Sequence, residues 1–349
     1  MAAIVLLGIV LYRRWSNQRL AVKYGSGSGS ILMADDTVGS ATAQQTTTKY
    51  RIIQRIGKGA HGVVFLVENK KTKVKCALKY ICCEDDAELA MALKEFEVIR
   101  KVQGHPNMII MVDMFMNWFE QVEKPSRMGS NMAPRPKHLQ QSTYGAVGFD
   151  PQGEFGGEED EQPRYVCIVM EYFPLGDLKK FIIDFADDII PEVVVVHVAR
   201  QLCSLMAYLH GRQPPIVHRD IKPENVLMSD NHKVVVTDFG LAHNTEKTHM
   251  STRAGTLHYS APECWRRHYT AAVDVWGVGC IIYAMCTKRV RPGDARVMFS
   301  DAIDPNFSTE LREELAGRGY SDRIISIMLT MLSVDPKKRP TADEAHDIL

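Results

Sequence analysis

From Tyr50 the chain falls into short apolar runs separated by polar turns. The stretch YRIIQRIGKGAHGVVFLVENKKTKVKCALKYI reads as three strands, with FLVE and CALKYI as strand cores and NKKTK as a hairpin turn. Residues 84–102 switch to helical spacing, where Leu89, Leu93, Phe96 and Ile99 recur every three or four positions, and GHPN ends the run. MIIMVDMFMNWF and YVCIVMEYF return to strand-like apolar runs. After residue 174 the period is helical: PEVVVVHVARQLCSLMAYLHG closes on Gly211 as a C-cap, and residues 272–287 and 321–333 predict two more helices. The smaller first half is mostly strand and the larger second half mostly helix, which makes the fold class α+β.

Three segments break the pattern. Residues 2–12, AAIVLLGIVLY, form an uncharged apolar run followed by Arg13 and Arg14. The run is shorter than the about 20 residues of a membrane span, lacks a preceding basic region, and has no small-residue cleavage site after it. A short membrane anchor, a targeting segment and an apolar terminal helix are the three readings of residues 1–24. In the first, the arginines hold the remainder in the cytosol. Residues 25–48, with GSGSGS, read as a flexible linker. Residues 122–163 are rich in Pro, Gly and Ser, basic at first (Lys124, Arg127, Arg135, Lys137) and acidic at the end (Asp150, Glu154, Glu158, Glu159, Asp160, Glu161). They read as a disordered surface insertion between two strands, with a docking segment as the alternative.

Charge and cysteine usage narrow the class. Lys+Arg and Asp+Glu both number 42, so the net charge is zero and nucleic acid is not expected as the main partner. The eight cysteines have no repeated CxxC spacing and sit mostly in apolar runs, as reduced thiols of a cytosolic domain do.

The candidate chemistry lies in four places. Ile56, Gly57, Lys58, Gly59, Ala60, His61, Gly62, Val63 and Val64 carry G-x-G-x-x-G-x-V between two strands. Glycines let backbone amides approach phosphate oxygens. A strand follows the third glycine where a dinucleotide-binding turn needs a helix, so the pattern fits a phosphate flap or a plain glycine hairpin. Lys79 ends the apolar run CALK, where an inward cation needs an anion or a partner. VHRDIKPENVLM packs six polar or charged residues into positions 218–225, and buried charge is costly unless paired or used. VVVTDFG then ends an apolar run on Asp238, and APE follows at 261–263.

In this order the motifs resemble the eukaryotic protein kinase family, serine/threonine type, over residues 50–349. The resemblance implies a bilobal fold, with an N-lobe over 50–170 that holds the 122–163 insertion, a C-lobe over 174–349, and ATP between the lobes. It implies Lys79 on the α- and β-phosphates, held by Glu95. Glu97 lies two residues round the helix and cannot share that face. Asp220 would take the substrate hydroxyl proton, with Lys222 beside it, and Asn225 and Asp238 would hold Mg2+ through oxygen ligands. Met170 is similar to the gatekeeper and Glu171 and Phe173 to the adenine-binding hinge. Asp177 takes the ribose position, and Val64, Ala77 and Leu227 the adenine sandwich. Ile99, His218 and Phe239 resemble links of the apolar spine, Glu263 and Arg339 the buried ion pair, and Asp274 the residue that bonds the catalytic-loop backbone.

Lys222 together with Thr256 matches the serine/threonine pattern. Arg219 would receive a phosphate from the loop 241–256, at Thr252 first, with Ser251 and Thr248 behind it. The implied cofactors are ATP and Mg2+. The implied partners are protein substrates and an upstream activating kinase, or a second copy in trans-autophosphorylation, with no nucleic acid and with membrane attachment through residues 2–12. Three departures stand out: His61 replaces the common aromatic at the loop tip, CALK replaces VAIK, and the chain stops at AHDIL, so a C-terminal regulatory region is absent or lies outside it. None removes a catalytic group, which argues against a pseudokinase. A nucleotide-binding scaffold and a membrane-tethered adaptor working through 122–163 are the rivals. HRDIKPEN and the activation loop carry a loose likeness to NIMA-related kinases.

Overall fold

A computed structural model of the chain describes residues 49–59, 62–83, 85–116, 122–123, 164–239, 259–266, 270–290, 302 and 304–349. The apolar run, the linker, residues 124–163, the glycine-loop tip (Ala60 and His61) and residues 240–258 lie outside the described residues. The chain divides into two compact units. One takes the chain up to Phe96 and then Met111–Tyr172; the other takes Glu97–Ile110 and Phe173–Leu349.

The first unit is built on a six-stranded sheet. Strands β1 (Tyr50–Gly59), β2 (Gly62–Asn69) and β3 (Lys75–Cys83) are the three read from the apolar runs and turns, and helix α1 (Asp86–Lys101) begins in this unit. β4 (Met111–Met116), β5 (Val122–Glu123) and β6 (Arg164–Glu171) complete the order β4-β6-β3-β2-β1-β5. Every second residue points to the same face. Ile52, Val63, Phe65, Val67, Cys76, Leu78, Tyr80, Phe115, Cys167 and Val169 accordingly form one buried cluster with Tyr50. The sheet curls strongly. Tyr50 of β1 stacks on Phe115 of β4, ring centroids 6.0 Å apart, although three strands separate the two in the pairing order. The Tyr50 hydroxyl donates to Asp113 Oδ2 at 3.0 Å, and Lys49 pairs with the same carboxylate.

The segment expected to be an insertion departs from that reading at its start. Val122–Glu123 pairs in parallel with Tyr50 and Arg51 on the outer edge of β1. An edge strand offers unused backbone donors and acceptors, and two residues are too few to leave a period in the sequence.

Residues 97–110 group with the second unit. Hydrogen bonds explain it. The buried Asn107 side chain donates to Val234 O and Gln201 Oε1, each at 2.8 Å. The Val236 amide donates to Asn107 O at 2.8 Å, and the Ile109 amide to Val236 O at 3.2 Å. Leaving such a buried amide without partners would cost about 1–3 kcal/mol, so GHPN stays with the unit that satisfies it.

The rest of the second unit is mainly helical. Helix α2 (Leu178–Asp184) is followed by α3 (Glu192–His210), whose buried Val195, Val198, Leu202, Leu205 and Leu209 keep the spacing seen in the sequence. The Gly211 amide closes α3 onto Ala207 O at 2.9 Å. The segment after HRDIKPEN contributes a short ladder, β7 (Val226–Met228) against β8 (Val234–Val236). Helix α4 (Ala272–Thr287) is buried from Val273 to Thr287, apolar on all sides as a central core helix is. Helices α5 (Phe307–Gly317), α6 (Asp322–Met331) and α7 (Ala342–Ile348) close the unit, the last started by a Thr341–Glu344 capping box. All eight cysteines are free thiols, six of them buried. Burial pushes Cys264 up to about 11, with the Glu263 charge adding to it, so this thiol stays protonated and unreactive near neutral pH.

Candidate active site

In the first unit, β1 and β2 pair tightly up to Gly59 opposite Gly62, so the glycine motif is a hairpin. Gly62 has φ of +142°, and a Cβ there would lie 2.1 Å from the Tyr80 carbonyl oxygen of β3. The third glycine is thus required by strand packing, whatever binds the loop. Gly62→Ala is expected to lower stability by about 1–3 kcal/mol, read as a reduced denaturant midpoint. An unchanged midpoint would refute the packing role.

Lys79 stands in the middle of the sheet, opposite Val64 on β2 and Ile168 on β6. Its ammonium meets Glu95 of α1 at 2.7 Å, and the two residues are 8% and 5% exposed. Glu97, two residues on, is only half-buried. Ala77 shares the face of Lys79 by its i−2 position and pairs with Met170, which is buried, while Glu171 pairs with Cys76. Ile56 is exposed and Val64 half-buried.

In the second unit the ionisable residues of HRDIKPEN form one network. Lys222 Nζ donates to Asp220 Oδ2 at 2.6 Å. Asn225 Nδ2 donates to the same oxygen at 2.9 Å and to the Asp220 carbonyl at 2.8 Å. Asn225 sits in a 3-10 turn, Pro223–Asn225, whose entry is fixed by proline. The Thr237 amide donates to Asn225 O at 2.9 Å, which brings Asp238 alongside. Asp238 and Arg219 both hold left-handed backbone, with φ of +64° and +69°, a conformation that costs of order 1–3 kcal/mol and persists where the surroundings impose it. The imidazole of His218 is fully buried, its ring 4.5 Å from that of Phe239. Asp177 and Leu227 face each other across a bridge. Asp177 also caps α2, accepting from the Lys180 amide at 2.7 Å, and burial raises its carboxyl above the usual range despite that bond.

The backbone of this loop hangs on α4. Asp274, fully buried, accepts from the His218 amide at 2.9 Å and the Arg219 amide at 2.8 Å. Burial alone would push its carboxyl up. The hydrogen bond and charge of His210, the charge of His218 and the Arg219 amide outweigh that, and hold it below the usual range. Gly277 lets α4 lie flush on the loop, since a Cβ there would come within 2.7 Å of Ile221 Cβ and 2.8 Å of its carbonyl oxygen. Glu263 and Arg339 form a bidentate pair at 2.6 and 2.8 Å.

The described residues thus bring together Lys79 with Glu95, and Asp220 with Lys222 and Asn225. Thr248, Ser251, Thr252 and Thr256 lie outside them, as do Ala60 and His61. Two contacts were not read from sequence: Lys179 pairs with Glu224 at 2.8 Å, and His210 reaches Asp274. Nothing in the apolar spacing distinguishes His210 from a helix-terminal histidine.

A family model described as protein kinase domain matches residues 50–348. The chain belongs to the protein kinase family. Its fold is therefore the bilobal α+β protein kinase fold. This kinase chain is 25% identical to a protein named probable serine/threonine-protein kinase nek2 from Dictyostelium discoideum, over 85% of its own length and 61% of that protein. It is 29% identical to myosin light chain kinase A of the same organism, over 85% of each. It is 27% identical to serine/threonine-protein kinase SBK1 of Mus musculus, over 93% of this chain and 69% of that one. The kinase chain spans less than two thirds of the first of these relatives.

Proposed function

We propose that the chain transfers the γ-phosphate of Mg-ATP to serine and threonine hydroxyls of protein substrates. The observation that carries this reading is the Asp220 carboxylate, gripped at one oxygen by Lys222 and Asn225. The donor set suits Mg2+: Asn225 spends its amide nitrogen on Asp220, which turns its amide oxygen into the available ligand, and Asp238 adds a carboxylate. When bound, Mg2+ neutralises phosphate charge.

Asp220 orients the substrate hydroxyl and accepts its proton. Lys222, bonded to that carboxylate, supplies positive charge beside the attacking oxygen. Lys79, fixed by Glu95, holds the α- and β-phosphates. Glu171 and Phe173 supply backbone groups to adenine, with Met170 behind them, Val64, Ala77 and Leu227 on its faces, and Asp177 at the ribose. Serine/threonine preference rests on Lys222 and on the names of the relatives. Regulation would run through a phosphate on Thr252, or on Ser251 or Thr248, pairing with Arg219.

The test is transfer of radiolabelled γ-phosphate to a generic serine/threonine substrate with Mg2+, wild type against Asp220→Asn. Transfer by wild type and its loss in the variant is the expected result. Binding of Mg-ATP without transfer, even after treatment with an activating kinase, would replace this reading with a nucleotide-binding scaffold.

A further inference from the structure

Lys71, Lys73 and Lys75 stand exposed on the turn between β2 and β3. The exposed Lys49 lies beside them, since its carbonyl accepts the Lys70 amide at 3.0 Å. Glu68 is the carboxylate among them: it lies opposite Lys75 in the strand pairing, and Lys73 reaches it at 3.9 Å. Arg51 takes the same carboxylate oxygen at 3.1 Å, and on its other side it lies opposite Glu123 of β5. The surplus positive charge therefore sits on the lysines of the turn. The turn is held by its own bonds. Asn69 Oδ1 accepts the Lys71 and Thr72 amides at 3.0 and 3.1 Å, and Asn69 O accepts the Lys73 amide at 2.8 Å. Val74, between two lysines, is 56% exposed. Like charges this close repel, and a valine left in water gains nothing. An anionic surface with an apolar layer beneath it answers both. The chain reaches this patch at Lys49 from a segment of matching character. Residues 1–34 contain the apolar run 2–12 and Arg13, Arg14, Arg19 and Lys23, with no Asp or Glu. A Gly/Ser linker of the length of residues 25–48 reaches about 25–30 Å, so the run and the patch can meet one surface.

We propose that the β2–β3 turn, with Lys49 beside it, binds an anionic membrane surface: Lys71, Lys73 and Lys75 lie on acidic lipid headgroups and Val74 enters the layer beneath them, while residues 2–12 supply the apolar half of the attachment. A single short apolar anchor holds a membrane only marginally, and a polybasic patch is the second signal that makes the attachment stable. Each cation beside such a surface strengthens binding about fivefold, and the gain fades within a Debye length. An acidic peptide, such as residues 154–161 of this chain, offers the charge without the link to residues 2–12. This surface is independent of the phosphoryl-transfer reading.

The test is co-sedimentation of the whole chain with vesicles of phosphatidylcholine, alone or with about one third phosphatidylserine. Wild type is compared with the triple variant Lys71→Gln, Lys73→Asn, Lys75→Gln. Asparagine is used at 73 because that residue holds φ of +59°, which asparagine tolerates. The triple variant is expected to bind the anionic vesicles roughly 100-fold more weakly than wild type, and the neutral vesicles equally. The wild-type preference for anionic vesicles should disappear at about 1 M salt, where the Debye length is about 3 Å. If the triple variant fails to melt cooperatively, Lys71→Gln with Lys75→Gln is read in the same way, with a loss of roughly 25-fold expected. A triple variant with wild-type affinity for anionic vesicles overturns the proposal and leaves residues 2–12 and the arginines after them as the sole attachment. A wild type that binds neither vesicle overturns it in favour of a plain solvated hairpin. A wild type that binds no vesicle but takes up a synthetic peptide of residues 154–161 through these lysines overturns it in favour of a protein-docking surface.

Discussion

Lys79→Met is expected to reduce kcat/KM for phosphoryl transfer by at least about 100-fold. Methionine keeps the length and much of the volume of lysine but carries no charge, so the sheet position stays filled while the phosphates lose the cation that the proposed function assigns to them. The same change strips Glu95 of its partner in a place where the two residues are 8% and 5% exposed. Removing one member of a buried pair typically costs about 3–5 kcal/mol, because the remaining charge stays buried. Activity and stability can therefore be pulled apart. Lys79→Met combined with Glu95→Leu should regain most of the lost stability in a denaturant titration, and none of the transfer. Restored transfer in the double variant would mean that the pair acts through stability alone.

Arg339→Leu is expected to lower the stability of the second unit by about 3–5 kcal/mol. The guanidinium satisfies four acceptors: both Glu263 oxygens, Ser333 O at 2.8 Å and Ala272 O at 2.9 Å. It also lies over the Trp276 ring, 4.9 Å from the centroid. The pair thereby fastens the APE segment to the start of α4 and to the turn after α6. Arg339→Lys should fail to rescue it, because an ammonium cannot reproduce the planar fork. Urea titrations followed by fluorescence would measure both. A midpoint for Arg339→Leu equal to wild type would show that the pair contributes geometry without net stability.

The parts legible in the sequence are those whose physics is local. The apolar run FLVE between polar turns predicts β2, and the three- and four-residue spacing of Leu89, Leu93 and Phe96 predicts α1, because each signal is carried by residues close together in the chain. The pairing of Lys79 with Glu95 was reachable through the resemblance to the protein kinase family, with helix geometry setting Glu97 apart from Glu95. What was not legible depends on partners distant in the chain. Residues 97–110 leave the N-terminal unit through amide bonds to β8, more than 120 positions later. β5 exists because the edge of β1 is open to it. His210 gains its neighbour only when α3 and α4 are both in place, and the reason for Gly62 lies in the Tyr80 carbonyl, outside its own motif.

The flush contact between α4 and the loop at Gly277 has a consequence for how this sequence can drift. Position 277 has no room for a methyl group unless the backbone at Ile221 retreats, and position 221 adjoins Asp220. A smaller side chain at 221 would not open the space, because the backbone carbonyl oxygen of 221 would still lie 2.8 Å from the added Cβ, so a side chain at 277 is tolerable only if the loop backbone itself moves. A buried helix that would ordinarily accept conservative apolar exchanges is, at this one point, answerable to the chemistry at the surface of the loop it carries.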